Sequence, residues 1–457
     1  MTRNVQHRGV PKRCVVIGAG IRGREIYGRW IAAHPDRAQV IAVAEPNRDR
    51  REAMAKEHGI ASDRAYADWR ELLAEAPAAE ACLVTTQDQA HTEPALRALE
   101  AGYDVLLEKP MATTPEESIS LVRKAEETGR ELRVCHVLRY APLFRAARQA
   151  ISDGAIGQVM HVEHSENVAY WHFAHSYVRG PWRRSDQASP VILAKSSHDL
   201  DILHWLVGAA IARVHAVGTL SFYRPESAPA GAPPRCTDGC PVADTCLWYA
   251  PRMYMDGEAL VHTMQYAASP FTRLAGGVAK RFMRGRFRRW PATVISDDLS
   301  REGRRRALET GPYGRCVFHC DNDVPDEQSL SIEFAGGVTA TMGLHGASYL
   351  DGRWFRIDGS AGTLQGHFTY AGQELVLHRH GGRSRRLYRA GLDSRGHGHA
   401  DSALMEAFFP RPGQTPPALS RSSAADSLES HLAAFAAERS RKEGRVVALD
   451  EFRHGDA

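Results

Sequence analysis

The sequence predicts an α/β protein: an N-terminal Rossmann domain with a doubly wound parallel sheet, followed by an α/β domain with an open, mostly antiparallel sheet. Two observations predict this fold. Residues 12 to about 135 alternate strand-like and helix-like segments, whereas the segments after residue 150 alternate apolar and polar residues. The chain has 457 residues, enough for two or three domains with sizeable cores. We place the domains at 1–137 and 138–457.

The elements of the first domain follow from short apolar runs and the helix-forming segments between them. The predicted strands are 13–17, 39–44, 81–85, 104–107 and 132–136. The predicted helices are 22–33, 48–58, 67–74, 92–101 and 115–128. Strands that alternate with helices in this way indicate a parallel sheet.

The second domain is predicted from strand-like stretches joined by glycine-containing turns. These stretches are 157–165, 211–222, 328–335, 337–345, 353–358, 363–368 and 374–378. Helices are expected at 198–208 and 425–441. Residues 224–325 are rich in Pro, Gly, Cys and Arg with a poor strand pattern, and we interpret them as an insertion.

A glycine motif lies in "CVVIGAGIRGREIYGRW", residues 14–30, between the first strand and helix. Gly18, Gly20 and Gly23 fit G-x-G-x-x-G, in which the first glycine permits a tight turn, the second lets the backbone approach a pyrophosphate, and the third allows close helix packing. The helix N-terminus offers unpaired N–H groups to phosphates. The motif predicts a dinucleotide site, and the alternative is an ordinary turn.

An acidic residue supports the cofactor interpretation. Glu45 ends the next strand, 22 positions after Gly23, close to the spacing at which a carboxylate meets the adenosine ribose. Its charge would repel a 2′-phosphate, so NAD is favoured over NADP. Arg48 and Arg50 lie close by in the sequence and weaken that preference.

A lysine follows another strand, at Glu108-Lys109-Pro110. Ligands bind beyond the carboxyl ends of parallel strands, so we expect Lys109 near the nicotinamide. There its ammonium would orient a substrate hydroxyl and stabilise developing oxyanion charge. The alternative is a surface lysine at a strand end.

These motifs together resemble the Gfo/Idh/MocA oxidoreductases, a family that includes glucose–fructose oxidoreductase and inositol dehydrogenase. The shared features are G-x-G-x-x-G, E-K-P about 90 residues later, and a His-x-x-Asp helix near residue 200; residues 84–114 resemble the family's central stretch. The resemblance implies that Lys109 is catalytic and that the chain forms a homo-oligomer. It adds these residues to the expected cofactor site: Ile21, Arg22, Thr85, Gln87, His91 and Glu108.

The second half of the expected active site is "LAKSSHDLDILHWL", residues 193–206. His198 is the candidate general base, because an imidazole titrates near neutral pH; the alternative is a core histidine. Family members commonly carry an Asp four residues earlier, where this chain has Ala194, followed by Lys195. Lys195 is a candidate for part of the missing role, and Asp201 is expected to orient or pack.

An aromatic segment, residues 164–185, is the candidate substrate surface. Ring faces and arginine donors suit a sugar or an acidic sugar. We select Trp171, His175, Tyr177 and Arg179 as substrate residues, together with Lys195 and Asp201. A packed aromatic cluster under the sheet is the alternative.

Five cysteines cluster in the predicted insertion, and they suggest a structural metal, most often zinc. The expected ligands are Cys236, Cys240, Cys246 and Cys320, with Cys316 as an alternative fourth ligand. An iron–sulfur cluster, free thiols or a disulfide stay open. We expect no catalytic metal.

Composition argues against several other classes of protein. The net charge of +4 with 25% charged residues does not call for nucleic acid or a membrane surface, and the Arg-rich piece 280–290 is interpreted as a solvated face. No apolar stretch precedes the first strand, so the chain is expected in the cytoplasm. The resemblance implies that His397, His399 and Asp401 lie in a loop bordering the substrate pocket; the alternatives are that they cap the following helix or bind a metal.

The function predicted from these features is an NAD-dependent oxidoreductase that takes hydride from a ring hydroxyl carbon of a sugar, sugar derivative or cyclitol. His198, aided by Lys109, would remove the hydroxyl proton. Two alternatives use the same residues. One is an NAD-dependent glycoside hydrolase that works by transient oxidation and elimination without net redox change. The other is a non-catalytic dinucleotide-binding regulator.

Overall fold

The structure is a computed structural model that describes residues 10–266, 274, 285–391, 399–411, 414 and 422–453. The chain divides into two compact units. The first holds the described residues within 1–148, 200–205 and 397–435, and the second those within 149–199, 206–396 and 436–457. None of the described helices combines the length and the apolar composition that a bilayer crossing needs. The domain boundary at 137/138 stays a prediction.

The first unit is built on a parallel sheet, as predicted. Its described strands are β1 Lys12–Ile17, β2 Ala38–Ala44, β3 Ala65–Tyr66, β4 Ala81–Val84, β5 Asp104–Leu107 and β6 Leu132–Val134. They lie in the order β3-β2-β1-β4-β5-β6, and every neighbouring pair is parallel. This is the doubly wound order, with its topological switch between β1 and β4. The two-residue β3 is too short to show a periodic pattern and was not predicted.

The apolar residues of β1 and β4 explain why these strands lie in the middle of the first sheet. All four residues of β4 are buried, as are Cys14–Ile17 of β1, which is the pattern of a sheet covered on both faces. The unit's helices are a π-helix Ile21–Gly28 continued by Arg29–Ala33, then Arg48–His58, Trp69–Glu75, Thr92–Glu100, Pro115–Thr128, Pro142–Ser152 and Ala400–Phe408, with 3-10 turns at Ser62–Arg64, Asp88–Ala90 and Val137–Tyr140. The first predicted helix, 22–33, is therefore wound as a π-helix over most of its length.

The second unit contains a mixed, mostly antiparallel sheet, again as predicted. Its described strands are β7 Val159–Ala169, β8 Ile211–Thr219, β9 Glu327–Phe334, β10 Thr339–Ser348, β11 Gly352–Gly359, β12 Gly362–Thr369, β13 Gln373–Arg379, β14 Ser384–Ala390 and β15 Val447–Ala448. The order is β14-β13-β12-β11-β7-β10-β9-β8-β15, and β7 with β10 is the parallel pair. The arginine-rich β14 lacks apolar alternation and was not predicted.

The other described helices have at most ten residues, except Ser197–Val207 and Ala424–Glu443. They are Tyr170–Phe173 continued by a π-helix Ala174–Arg179, Val191–Ala194, Ser197–Val207, Ala250–Met255, Glu258–Gln265, Ala292–Ile295, Arg301–Thr310, Ala424–Glu443 and Asp450–Arg453, with 3-10 turns at Pro225–Ser227 and Pro312–Gly314. Ser197–Val207 carries the candidate base. Ala424–Glu443 is the predicted late helix, extended by a few residues.

The described part of residues 224–325 has a small core of its own. Cys236, Tyr254, Leu308 and Tyr313 pack with Trp171 in one hydrophobic cluster. Arg304 is buried beside it and donates to the carbonyl oxygens of Tyr254 and Phe287. Side chains separated by many residues build this core, which is why the segment shows no strand or helix period.

Candidate active site

The predicted cofactor residues come together at one edge of the first sheet. Ile17 at the end of β1 pairs with Ala44 of β2 and Val84 of β4, and Val84 pairs with Leu107 of β5. The segments that follow these strands contain the glycine motif, Glu45, Thr85 and the Glu108-Lys109 pair. Because the carboxyl ends of adjacent parallel strands share an edge, the sequence-distant motifs form one surface.

The three glycines differ in what surrounds them. Gly18 has a φ of +95°, and a Cβ there would lie 2.7 Å from the Thr85 carbonyl oxygen. A Cβ on Gly23 would lie 2.0 Å from the Gly18 carbonyl oxygen. Around Gly20, by contrast, no described atom lies within 4 Å of the Cβ position. Gly18 and Gly23 are therefore required by packing, and Gly20 leaves open space above the loop, which fits an approaching pyrophosphate.

Glu45 is fixed against the glycine loop. Its Oε2 accepts the Ala19 N–H at 2.7 Å, and its Oε1 accepts the Asn47 N–H at 2.9 Å. Two arginines of the following helix have different partners. Arg48 Nε donates to Glu52 Oε1 at 2.6 Å, and Arg51 Nη1 donates to the Glu45 carbonyl oxygen at 2.5 Å. Contact of this carboxylate with a ribose hydroxyl stays a prediction.

Arg22 is the centre of a polar cluster in the first unit. Its Nε donates to Glu108 Oε1 at 2.5 Å, and its Nη2 donates to Asp401 Oδ1 at 2.7 Å. The Tyr27 hydroxyl also donates to Glu108 Oε1, at 2.5 Å. Burial raises the pKa of Glu108, but Arg22, Tyr27 and Lys109 together outweigh burial and leave this pKa below its ordinary value. Arg22 and Glu108 therefore hold each other, and Asp401 belongs to this cluster. His399 precedes the helix Ala400–Phe408, and His397 lies outside the described residues.

The backbone around Lys109 is held by a buried histidine. The Lys109 N–H donates to Glu108 Oε2 at 3.1 Å, and the Lys109–Pro110 peptide bond is cis. Met111 N–H donates to Nε2 of His431 at 2.9 Å, while Nδ1 of this ring lies 2.7 Å from the Ser427 carbonyl oxygen. The ring must therefore be neutral with its proton on Nδ1, and burial lowers the pKa of His431 to about 3.

Four other predicted cofactor residues have distinct surroundings. His91 is buried, with Nδ1 at 2.6 Å from the Pro110 carbonyl oxygen and Nε2 at 3.1 Å from that of Thr86. Thr85 Oγ1 donates to the Gly18 carbonyl oxygen at 2.6 Å. Gln87 and Ile21 are exposed. His91 and Thr85 thus brace the loops, and contact of any of the four with a cofactor stays a prediction.

Asp201 forms a buried ion pair that the sequence did not reveal. Its two carboxylate oxygens accept from Nε and Nη2 of Arg139, each at 2.7 Å. Both side chains are at most 2% exposed. His136 lies next to the pair, and burial followed by Arg139 lowers the pKa of this histidine well below its usual value. These contacts support the orienting or packing role expected for Asp201.

His198 lies in the first turn of the helix Ser197–Val207 and is 6% exposed. The next residue, Asp199, anchors this turn to the second sheet. Asp199 Oδ1 lies 2.8 Å from His164 Nε2 on β7 and 2.6 Å from Arg353 Nε on β11. Burial raises the pKa of Asp199, but Arg353 and His164 outweigh it and lower this pKa overall. The anchor fixes where the helix begins and hence the Cα position of His198.

Lys195 has a carboxylate partner near the position where relatives carry their Asp. Lys195 Nζ lies 3.0 Å from Glu166 Oε1, and Arg353 Nη2 lies 2.7 Å from Glu166 Oε2. Burial raises the pKa of Glu166, although Arg353 and Lys195 oppose the shift. Glu166 was missed because it lies on β7; the alternation that places His164 and Glu166 on one strand face was its only sequence signal.

The predicted substrate residues of the aromatic segment are buried. Trp171, His175, Tyr177 and Arg179 are at most 7% exposed. The His175 ring stacks on Tyr313 at 5.0 Å, and burial lowers the pKa of His175 to about 3. Arg179 donates to the carbonyl oxygens of Arg315 and Trp248. These contacts favour the packed cluster, and substrate contact by these four residues stays a prediction.

The structure does not support the predicted metal site. Cys236, Cys240, Cys246 and Cys320 are free thiols, and within the described residues no group of three or more His, Cys, Asp or Glu side chains could hold a metal ion. Two of the sulfurs have other partners. Arg179 Nη2 lies 3.6 Å from Cys236 Sγ, and Cys320 Sγ donates to the Cys316 carbonyl oxygen at 3.3 Å. The buried Arg179 guanidinium supplies the positive charge beside Cys236.

Two protein-family descriptions match the chain. Residues 12–136 match an oxidoreductase family with an NAD-binding Rossmann fold, and residues 144–251 match the GFO/IDH/MocA C-terminal domain. The second match extends past residue 224, so the start of the predicted cysteine-rich insertion is not confirmed.

Individual relatives agree with these matches. The chain is 32% identical to 1,5-anhydro-D-fructose reductase of Ensifer adhaerens over 44% of its own length and 60% of the relative's. It is 28% identical to scyllo-inositol 2-dehydrogenase (NAD(+)) of Bacillus subtilis over 46% and 57% of the two chains. The chain therefore spans less than two thirds of these relatives. An oxidoreductase from Agrobacterium radiobacter, solved with NAD+, L-tartaric acid and magnesium, superposes with a TM-score of 0.62 at 16% identity, covering 96% of this chain and 99% of that one.

The glycine loop gives a matched pair of variants. We expect Gly20→Ala to leave the free energy of unfolding within about 0.5 kcal/mol and to weaken NAD binding about tenfold, because its methyl group enters only the open space above the loop. Gly23→Ala must displace the Gly18 carbonyl and should lose about 1–3 kcal/mol of stability. Urea unfolding and NAD titration measure the two effects. Equal loss of stability in both variants would contradict this division of roles.

The buried Arg139–Asp201 pair makes a second prediction. Asp201→Asn leaves the Arg139 charge buried without its partner and should cost about 3–5 kcal/mol. Glu333→Gln, which breaks the exposed Arg213–Glu333 pair, should cost under about 1 kcal/mol. Urea unfolding of both variants checks the contrast. If Asp201→Asn instead keeps the full stability and only raises KM, Asp201 has a role in substrate binding.

Proposed function

Because the chain belongs to the GFO/IDH/MocA oxidoreductase family, we propose that it is an NAD-dependent dehydrogenase of a sugar, sugar derivative or cyclitol. One observation carries the proposal: the open loop at Gly20, the fixed Glu45 carboxylate and the braced Lys109 lie along one carboxyl edge of the sheet. The activities that the two relatives are named for, on an anhydro-sugar and on an inositol, support the substrate class.

The proposal gives Lys109 and His198 complementary tasks. The Lys109 ammonium donates to the oxygen of the substrate hydroxyl and stabilises its negative charge as the proton leaves. The neutral His198 imidazole accepts that proton. Bound NAD would supply the hydride acceptor for the ring carbon. Lys195 is already paired with Glu166, so the proposal assigns it support of the site rather than proton transfer.

The same edge favours NAD over NADP. A 2′-phosphate beside the ribose would meet the Glu45 carboxylate, which hydrogen bonds to Ala19 and Asn47 hold in place. Arg48 is paired with Glu52, which supports the preference, whereas Arg51 is bonded to the Glu45 carbonyl oxygen and is a cation that weakens it.

The remaining expectations rest on the resemblance, for the homo-oligomer, and on composition and the N-terminal sequence, for the others. A homo-oligomer in the cytoplasm, acting on a small molecule and without a nucleic-acid or membrane partner, stays a prediction. The two alternative functions, an NAD-dependent glycoside hydrolase and a non-catalytic regulator, receive no support from the relatives compared above.

The cofactor preference is testable at Glu45. Glu45→Gln keeps an acceptor for the Ala19 N–H but removes the charge, so the ratio of kcat/KM with NAD to that with NADP should fall about tenfold. Glu126→Gln, an exposed change on the helix Pro115–Thr128, should leave the ratio unaltered. A wild-type enzyme that prefers NADP would refute the assignment.

The catalytic assignment is tested by NADH formation with a panel of aldoses, anhydro-sugars and cyclitols. Lys109→Met should lower kcat/KM by about 10²–10³, and His198→Asn by about 10²–10⁴. The exposed Lys56→Met is the control and should retain activity. Unchanged activity in either catalytic variant would remove that residue from the mechanism. Release of aglycone from an aryl glycoside without NADH accumulation would favour the hydrolase.

A further inference from the structure

A cavity of about 500 Å³ lies within the second unit, among residues to which the proposed function gives no role. Tyr170, which follows β7, and Tyr349, which follows β10, line it together with residues of the 222–262 region. Its volume is within the range of small-molecule sites, which are mainly apolar and aromatic with a few polar groups. The cavity therefore has the size and the kind of lining that a ligand site needs.

The walls of this cavity are aromatic rings that meet at steep angles. Trp248 contacts Tyr170 with ring centroids 6.0 Å apart at 90° and Tyr223 with centroids 6.0 Å apart at 88°. Phe222 lies 5.2 Å from Trp248 at 45°. Steeply angled rings offer faces and edges side by side, which is the environment that another aromatic ring prefers.

Exposed apolar surface concentrates on this cavity. Phe222, Leu247 and Tyr349 line it and are 40%, 58% and 51% exposed. Single exposed apolar residues need no explanation, but several around one concave site indicate a binding surface. Filling the cavity would remove these side chains from water.

The polar groups of the lining narrow the class of ligand. The Tyr223 hydroxyl donates to the Gly346 carbonyl oxygen at 3.1 Å. Nε2 of His262 is hydrogen-bonded to the Tyr349 carbonyl oxygen. Glu258 supplies a carboxylate, paired with Arg252 at 3.4 Å. Burial, with Glu258 as the next cause, raises the pKa of Tyr170 to about 12, and both residues line the cavity. Glu258 thus offers the lining a carboxylate acceptor for a donor on the ligand.

We propose that this cavity binds a planar aromatic ring with one hydrogen-bond donor, of the phenol or indole class. The ring packs among Tyr170, Phe222 and Trp248, and the donor faces Glu258. The inference is independent of the proposed dehydrogenase activity, because it concerns other residues and requires no turnover.

Binding to the full-length protein, without NAD, tests the proposal. Isothermal titration compares indole, N-methylindole, which lacks the donor, and myo-inositol, which lacks the aromatic ring. We expect indole to bind more tightly than N-methylindole and myo-inositol not to bind. Ala347→Trp, which fills the cavity from an exposed lining position, should weaken indole about tenfold or more.

Two further variants and a control separate ligand contacts from folding. Glu258→Gln should weaken indole about threefold or more and leave N-methylindole unchanged. Leu247→Ala, at a largely exposed position, should weaken the binding of both indoles. This variant replaces Ala347→Trp as the test if Ala347→Trp fails to fold. Met160→Ala is the matched control, because Met160 is 59% exposed and does not line the cavity.

Several outcomes would overturn the proposal. They are absence of indole binding to the wild-type protein, equal affinity in folded Ala347→Trp, or a preference for myo-inositol, which would assign the cavity to a polyol. An equal loss for both indoles in Glu258→Gln would refute the polar contact. Failure of NADH formation with every sugar would refute the proposed function and leave these binding results unaffected.

Discussion

Parallel pairing of β1 with β2 and β4 is the constraint on which the proposed site depends. Within a parallel sheet, strands far apart in sequence end at the same edge. The loops after β1, β2, β4 and β5 therefore become neighbours in space although they are not adjacent in the chain. Close packing then dictates the loop chemistry. Gly18 and Gly23 have no room for a Cβ, and Thr85 donates across to the Gly18 carbonyl oxygen from the end of β4. Gly18 and Gly23 are thus required by the fold, and Gly20 is the glycine for which packing gives no reason.

Buried ion pairs hold the candidate catalytic residues within each unit. In the first unit Arg22 pairs with Glu108, which immediately precedes Lys109. In the second unit Arg353 bridges Asp199 and Glu166 next to His198. Burying such charges costs desolvation that their attraction only partly returns, so stability alone does not explain them. Their directional hydrogen bonds fix where the neighbouring lysine and histidine lie, and a reacting site requires that precision.

Local pattern in the sequence was enough to predict both sheets, most helices and the edge of the first sheet. Strand alternation, the glycine spacing and the acidic residue after β2 are properties of neighbouring residues. Partners distant in sequence could not be predicted. Asp201 is 62 residues from Arg139, and Asp199 is 154 residues from Arg353. The cysteines show the same limit, because the spacing of sulfurs suggested a metal while the Arg179 guanidinium between them comes from another segment.

The substitution at Ala194 gains a physical interpretation from the same contacts. Relatives were expected to place a carboxylate here, four residues before the histidine. In this chain the adjacent Lys195 pairs with Glu166 of β7, so a carboxylate is supplied by the sheet rather than by the helix. Glu166 is held by two cations, Lys195 and Arg353, and Arg353 also bonds Asp199, the neighbour of His198 in the chain. The carboxylate that the sheet supplies is therefore linked through Arg353 to the helical turn that carries the candidate base.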